Sequence, residues 1–270
     1  GISSVTLDWR GTLFDGASHL SSWDAQDVGS YEGHVGPMAI DAGRTAEGAI
    51  EFYADAPGHV AEVFAQALTS AGITVSMGEA GEAPAGASSL ASVSSATIGE
   101  QLRWMLAHSD NTLADQYCRL AARAAGSPST YEGATSTVKD ALTSAGIPTD
   151  GLYLEDCSGL SSNDKITANT LVGVLKASYA GRGTSADTMR LLPWAGLVGT
   201  LSNRMAEAPT GGNVQAKTGS LHEVTSLSGS VITQGGRLLL VSIGHDQVTS
   251  GAYATRGYLD AFEEGLAGLN

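Results

Sequence analysis

Two strand-like runs near the end of the chain, Lys217 to Thr233 and Arg237 to Gly244, constrain its fold more than any other stretch. Between them lies Gln234-Gly235-Gly236, and glycine is what the tight turn of an antiparallel hairpin needs. Tyr258, Leu259, Phe262 and Leu266 follow at helical spacing, so an amphipathic helix is available to cover the sheet. The expected class is α/β, an antiparallel sheet flanked by helices.

Ahead of the hairpin, strand-like and helical patterns alternate. Residues 1 to about 55 mix short apolar runs such as Val5-Thr6-Leu7-Asp8-Trp9 with Gly, Ser and Asp, and read as short strands joined by turns. Pro57 opens a helix with Val60, Val63, Phe64, Ala67, Leu68 and Ala71 at helical spacing, Gly72 closes it, and Ile73-Thr74-Val75 reads as the next strand. Gly78 to Ser89, rich in Gly, Ala, Glu and Ser and broken by Pro84, reads as a linker or domain crossing. Two helical faces follow, Leu102, Met105 and Leu106, then Leu113, Tyr117 and Leu120, with Ser109-Asp110-Asn111 in the break. Thr167 is placed to cap a helix from Ala168 to Tyr179. Ala-Leu-Thr-Ser-Ala-Gly-Ile occurs at 67–73 and again at 141–147, each time as helix end, glycine stop and strand start. With 270 residues, two unequal domains are expected.

Lysine is scarce: the chain has only Lys139, Lys165, Lys176 and Lys217, which raises the weight of Lys217. On a strand, Lys217-Thr218-Gly219-Ser220 offers a positive charge, a hydroxyl for a substrate carboxylate, a glycine that lets a ligand backbone approach, and an adjacent N–H for a developing oxyanion. Lysine and threonine on a strand edge also serve simply to deter edge pairing. Ser109 and Asn111, alone, read as a helix stop and N-cap. The combination points instead to serine acyl transfer, because both motifs belong to the signature of enzymes whose nucleophile lies in Ser-x-x-Lys. No Ser-x-x-Lys precedes Ser109. Ser136-Thr137-Val138-Lys139 and Ser162-Asn163-Asp164-Lys165 fit it, but both come after Ser109 and read as a helix face and a loop. The chain begins Gly1-Ile2-Ser3 and is expected to start in mid-protein, with its nucleophile upstream.

Other chemistries find less support. With 14 basic and 28 acidic residues the formal charge is -14, which disfavours nucleic acid and anionic membranes as partners. The longest apolar run, around Leu238 to Ile243, is far too short for a membrane span. There is no Gly-x-Ser-x-Gly elbow, no His-Glu-x-x-His and no Cys-x-x-Cys, so neither a triad hydrolase nor a zinc site is expected. Gly211 to Thr218 has Ala216 where a phosphate loop needs glycine, and it leads into a strand rather than a helix. No cofactor and no metal are expected. Cys118 and Cys157 suit either one bridge in an oxidising compartment or two free thiols.

Four segments extend the pattern: Leu106 to Asp115, Glu155 to Ser161, Leu192 to Leu201, and Gln215 to Leu221. In this order they resemble the D-alanyl-D-alanine carboxypeptidase/endopeptidase family of class C, low-molecular-mass penicillin-binding proteins. The resemblance implies a penicillin-binding, β-lactamase-like sheet in residues 89–270, with 1–88 part of an accessory domain inserted between the first two motifs. It implies that Ser109 relays protons, Asn111 binds an amide of the peptidoglycan stem peptide, and Lys217 supplies positive potential to Ser109. Thr218 and Ser220 would hold the terminal carboxylate beside Gly219, with the Ser220 N–H as half of the oxyanion hole. β-Lactams would be covalent inhibitors of the complete protein, which needs its amino-terminal segment and works outside the cytoplasm. Cys157 stands where the family usually has glycine, which makes a bridge to Cys118 conceivable. A peptidoglycan- or protein-binding module that keeps the pocket without turnover is the alternative.

Overall fold

A computed structural model of the chain describes residues 1–181, 187–249 and 251–270. It divides into two compact units: Gly1–Ser95, Asn111–Thr137 and Glu155–Ser162 form the first, and Ala96–Asp110, Val138–Leu154 and Asn163–Asn270 the second. Two later segments, 111–137 and 155–162, thus pack with the front of the chain.

In the first unit, β1 (Ser4–Trp9) and β2 (Thr74–Ala80) pair in parallel, joined through α1 (Ala56–Ser70). The helix starts where the sequence dictates: Asp55 accepts from the Gly58 N–H and Pro57 occupies the first turn. The remainder of residues 1–55 is not the series of strands expected. Beyond β1 it holds turns, a short 3-10 turn at Asp41–Gly43 and the isolated bridges Val28↔Glu32 and Arg44↔Phe52, since its apolar runs are too short to build a ladder.

α3 (Asn111–Ala124) buries Thr112, Asp115, Cys118, Arg119 and Ala122, whereas Leu113, Tyr117 and Leu120 are only half-buried. The inward face is therefore polar, contrary to the periodicity of the leucines. Hydrogen bonds explain it. Thr112 Oγ1 accepts from the Gly33 N–H, and Asp115 Oδ1 from the Cys157 N–H. Arg119 donates to the carbonyls of Ser129, Ala17 and Asp15 at 2.7 to 2.9 Å, and its guanidinium lies 4.8 Å from the rings of both Phe14 and Tyr131. The loop from Glu155 to Ser161 winds about Asp156, whose carboxylate accepts from Trp23 Nε1, Gly159 N–H and Ser161 N–H. A disulfide joins Cys118 to Cys157, 39 positions apart.

The second unit is built on an antiparallel sheet of order β3 (Val214–Ser220), β4 (Thr225–Ile232) and β5 (Leu238–His245). The long strand expected from 217 to 233 is in fact two, folded back at His222-Glu223 with Leu221 N–H bonded to the Val224 carbonyl. Period-two alternation gives the sheet two apolar faces. Val214, Ala216, Leu227, Val231 and Val241 pack with Leu259 and Ala267 of α7 (Ala252–Ala267) and with Ala195, Leu201 and Met205. Leu240, on the opposite face, packs with Leu106 of α2 (Ile98–His108), Leu175 of α5 (Ala168–Tyr179) and Met189 of the single-turn α6 (Thr188–Leu191). Tyr258 and Phe262, expected on the covered stripe of α7, are exposed; Leu259 and Leu266 hold that role.

Local signals fix several ends. Thr97 and Glu100 make a capping box at α2, and Thr167 caps α5. The repeated heptapeptide ends both α1 and α4 (Tyr131–Ser144) in the same way, with Ile73 N–H bonded to the Leu68 carbonyl and Ile147 N–H to the Leu142 carbonyl. Only the first copy leads into a strand, because only there does β1 offer a partner. Among the described residues no helix is long and apolar enough to cross a membrane.

Candidate active site

α2 ends at Ser109, which takes the left-handed conformation (φ 55°, ψ 49°), and the N–H groups of Ser109 and Asp110 both return to the Met105 carbonyl. That turn leaves the Ser109 hydroxyl exposed at the helix end, facing β3 of the same unit. Lys217 Nζ donates to Ser109 Oγ at 2.7 Å and to the Thr218 carbonyl at 2.7 Å. Desolvation by burial lowers the Lys217 pKa from its usual 10.5 to about 8.

β3 is an edge strand, and its outer side is covered only in part. Ala195 N–H bonds to the Val214 carbonyl and Ala216 N–H to the Pro193 carbonyl, which closes the first half. Backbone groups alternate sides along a strand, so Thr218 and Ser220 direct theirs to the same outer edge as Val214 and Ala216. The Thr218 carbonyl is there, accepting from Lys217, and the Ser220 N–H lies two residues on. Thr218 Oγ1 donates to Thr200 Oγ1 at 2.9 Å, and Ser220 Oγ donates to the Gly219 carbonyl at 2.7 Å. A Cβ on Gly219 would stand 2.3 Å from Ser226 Oγ.

Thr200 is positioned by the 3-10 turn Gly199–Leu201. Gly199 has φ +61°, and a Cβ there would fall 2.1 Å from the Ala107 carbonyl oxygen of α2, so glycine alone lets this turn approach. Reading the sequence singled out the Leu192 to Leu201 segment but not this function for Gly199 and Thr200.

Ser109, Lys217, Thr218, Gly219 and Ser220 thus belong to one unit, with Ser109 bonded to Lys217. Asn111 opens α3 and is part of the first unit, where its Nδ2 donates to the Tyr31 carbonyl at 3.2 Å. Cys118 and Cys157, also in the first unit, are consumed by their disulfide. Sequence reasoning missed Arg256 of α7, whose Nε donates to Ser220 Oγ at 3.2 Å. No local pattern announces it. Among the described residues no group of three or more His, Cys, Asp or Glu side chains is arranged to hold a metal ion.

A hydroxyl beside an amine of lowered pKa, and an open strand edge whose N–H can receive a carbonyl oxygen, are groups that acyl transfer can use. Comparison with known proteins agrees. A profile of the D-Ala-D-Ala carboxypeptidase 3 (S13) family matches residues 48–264. The chain is 36% identical to the carboxypeptidase DacB of Mycolicibacterium smegmatis over 243 residues, 86% of this chain and 52% of that protein. It is 35% identical to a D-alanyl-D-alanine carboxypeptidase of an Actinomadura species, over 78% of this chain and 41% of the relative. The crystal structure of penicillin binding protein 4 from Haemophilus influenzae, complexed with a β-lactam, superposes with a TM-score of 0.67 at 28% identity, covering 81% of this chain and 51% of that one. The chain spans about half the length of these relatives or less. Matched over most of its length by the family profile, the chain belongs to the D-Ala-D-Ala carboxypeptidase 3 (S13) family.

Proposed function

We propose that this chain supplies the proton-relay and carboxylate-binding parts of a serine D-Ala-D-Ala carboxypeptidase or endopeptidase that acts on peptidoglycan stem peptides outside the cytoplasm. One observation carries the reading: the 2.7 Å bond from Lys217 Nζ to Ser109 Oγ beside the uncovered edge of β3. A substrate segment lies along that edge as an added strand, which brings its carbonyl oxygen to the Ser220 N–H.

The nucleophile is assigned to a Ser-x-x-Lys segment outside these 270 residues. Of the two copies within the chain, Ser136 and Lys139 lie exposed on α4, while Ser162 and Lys165 are exposed and the Lys165 backbone pairs with Tyr153. Half-length coverage of the relatives agrees with that assignment. The serine oxygen bonds to the penultimate D-Ala carbonyl carbon, and its proton passes by way of Ser109 and Lys217 to the departing amine nitrogen. D-Ala leaves, and water then cleaves the acyl ester. An amine with a pKa near 8 exchanges a proton readily close to neutrality. Asn111 is assigned to a substrate amide, Thr218 and Ser220 to the terminal carboxylate, and residues 1–88 to the accessory region. β-Lactams acylate the same serine in this reading.

Labelling with fluorescent penicillin tests it on the complete protein, on this chain alone and on a Lys217→Ala variant of the complete protein. The complete protein is expected to label, and the other two are not. A label on the chain alone overturns the external nucleophile. No label on the complete protein makes the pocket a peptidoglycan- or protein-binding module instead.

A further inference from the structure

The hydroxyls of Thr218 and Ser220 are neutral, and in this structure both of their hydrogens are directed elsewhere, to Thr200 and to the Gly219 carbonyl. A carboxylate arriving at the end of β3 needs positive charge there. Lys217 is engaged with Ser109 and the Thr218 carbonyl. The next cation along the strand is Arg256, in the second turn of α7.

Arg256 is half-buried. Its Nε donates to Ser220 Oγ at 3.2 Å, and its guanidinium carbon lies 4.8 Å from the centroid of the Tyr253 ring. Ser220 Oγ uses its own hydrogen on the Gly219 carbonyl, so a lone pair is left to receive Arg256. Among the described residues no carboxylate lies within 4.0 Å of the Arg256 guanidinium. Arg204 takes one from this same helix, bonding Asp260 at 2.6 Å. Arg256 instead holds its Nε on a strand hydroxyl and its face against an aromatic ring, which fixes the fork while leaving its terminal N–H groups to bind a planar anion in two-point fashion.

We propose that Arg256 is the anchor for the free carboxylate adjoining the scissile bond, with Ser220 Oγ and the Tyr253 ring as its positioning groups. This rests on the DD-peptidase reading and goes beyond it. The charge that selects a free carboxylate over its ester or amide comes from the terminal helix, not from the strand motif alone. Substrates and inhibitors whose carboxylate is masked lose this contact.

The test compares acylation rates of the complete protein by benzylpenicillin and by its methyl ester, in the unmodified form and in Arg256→Ala and Arg256→Lys variants. Arg256→Ala is expected to slow acylation by benzylpenicillin roughly 10- to 100-fold, as befits a lost charge-assisted hydrogen bond, and to leave the already slow reaction of the ester within about twofold. Arg256→Lys is expected to recover part of the loss, since it restores charge without the fork. Equal slowing toward both compounds, or no slowing toward either, overturns the assignment while acylation of the unmodified protein keeps the DD-peptidase reading intact. If the unmodified protein is acylated by neither compound, that reading falls and the anchor falls with it.

Discussion

Ser109 Oγ receives a 2.7 Å hydrogen bond from Lys217 Nζ, although 108 positions separate the two residues. The hydroxyl is held there by an unfavourable backbone. Ser109 has φ 55°, a left-handed conformation that costs a side-chain-bearing residue on the order of 1 kcal/mol. Ser109→Gly should therefore be more stable than Ser109→Ala by about 1 kcal/mol, because glycine relieves the strain that alanine keeps. In the complete protein both variants should lose penicillin labelling by about a hundredfold or more, the scale of a lost proton-transfer group. Urea unfolding with parallel labelling rates checks this; a glycine variant less stable than the alanine one removes the case for strain.

Lys217 sets two pH dependences of opposite kind. Its pKa is about 8 in the fold and about 10.5 in the unfolded chain, so between these values the unfolded state binds more protons. Stability from this group therefore rises as pH climbs from 8 toward 10, by up to about 1.4 kcal/mol per pH unit, and Lys217→Met should remove that rise. Acylation should decline over the same range, as the ammonium that gives Ser109 its positive potential and passes a proton to the departing nitrogen disappears. Thermal melts and labelling rates from pH 7 to 10 separate the two, and a rate that keeps rising past pH 9 counts against the ammonium.

Parts of both units were legible in the sequence, because the signals there are local. Pro57 and Gly72, the Thr167 cap and the glycine turn at 234–236 each determine backbone geometry within a few residues, and each stands where expected. The break at His222-Glu223 was not legible, since neither residue marks a turn. The buried face of α3 was misread for a different reason: hydrophobic spacing assumes an apolar interior, and Arg119 and Asp115 are buried because carbonyls and N–H groups from distant segments satisfy them. Site residues carried by short motifs could be found, Lys217 and Ser109 among them. Arg256 and Thr200 could not, because what selects them is proximity to β3 and no pattern of neighbours.

Gly199→Ala should damage stability and the site together. The added Cβ would stand 2.1 Å from a backbone oxygen, that of Ala107, and at φ +61° alanine is strained even without the clash. Neither atom is the loose end of a side chain, so relief requires moving the turn away from α2. A loss of about 2 to 4 kcal/mol is expected. Moving the turn also carries Thr200 from Thr218, so penicillin acylation should fall by more than the unfolded fraction explains. Denaturant unfolding beside acylation of the folded fraction measures both, and a variant of unchanged stability would show that the turn has room to shift.

Asp115 makes the first unit sensitive to pH in the opposite direction from Lys217. Burial, and then the nearby Asp156 charge, raise its pKa from 3.8 to about 7, against the opposing bond from the Cys157 N–H. Between those values the folded state binds more protons, so stability falls as pH rises from about 4 to about 7, and the full cost is present above 7. Glu263 of α7 behaves alike, raised to about 7 by burial and by Asp260. Asp115→Asn keeps an oxygen for the Cys157 N–H and removes the titration; Glu263→Gln does the same in the second unit. Each variant should gain on the unmodified chain at pH 8 relative to pH 5.5, and the double variant should lose most of the difference between those two pH values. Melting temperatures across that interval decide it: if the double variant keeps the full pH dependence of the unmodified chain, the titrating groups lie elsewhere.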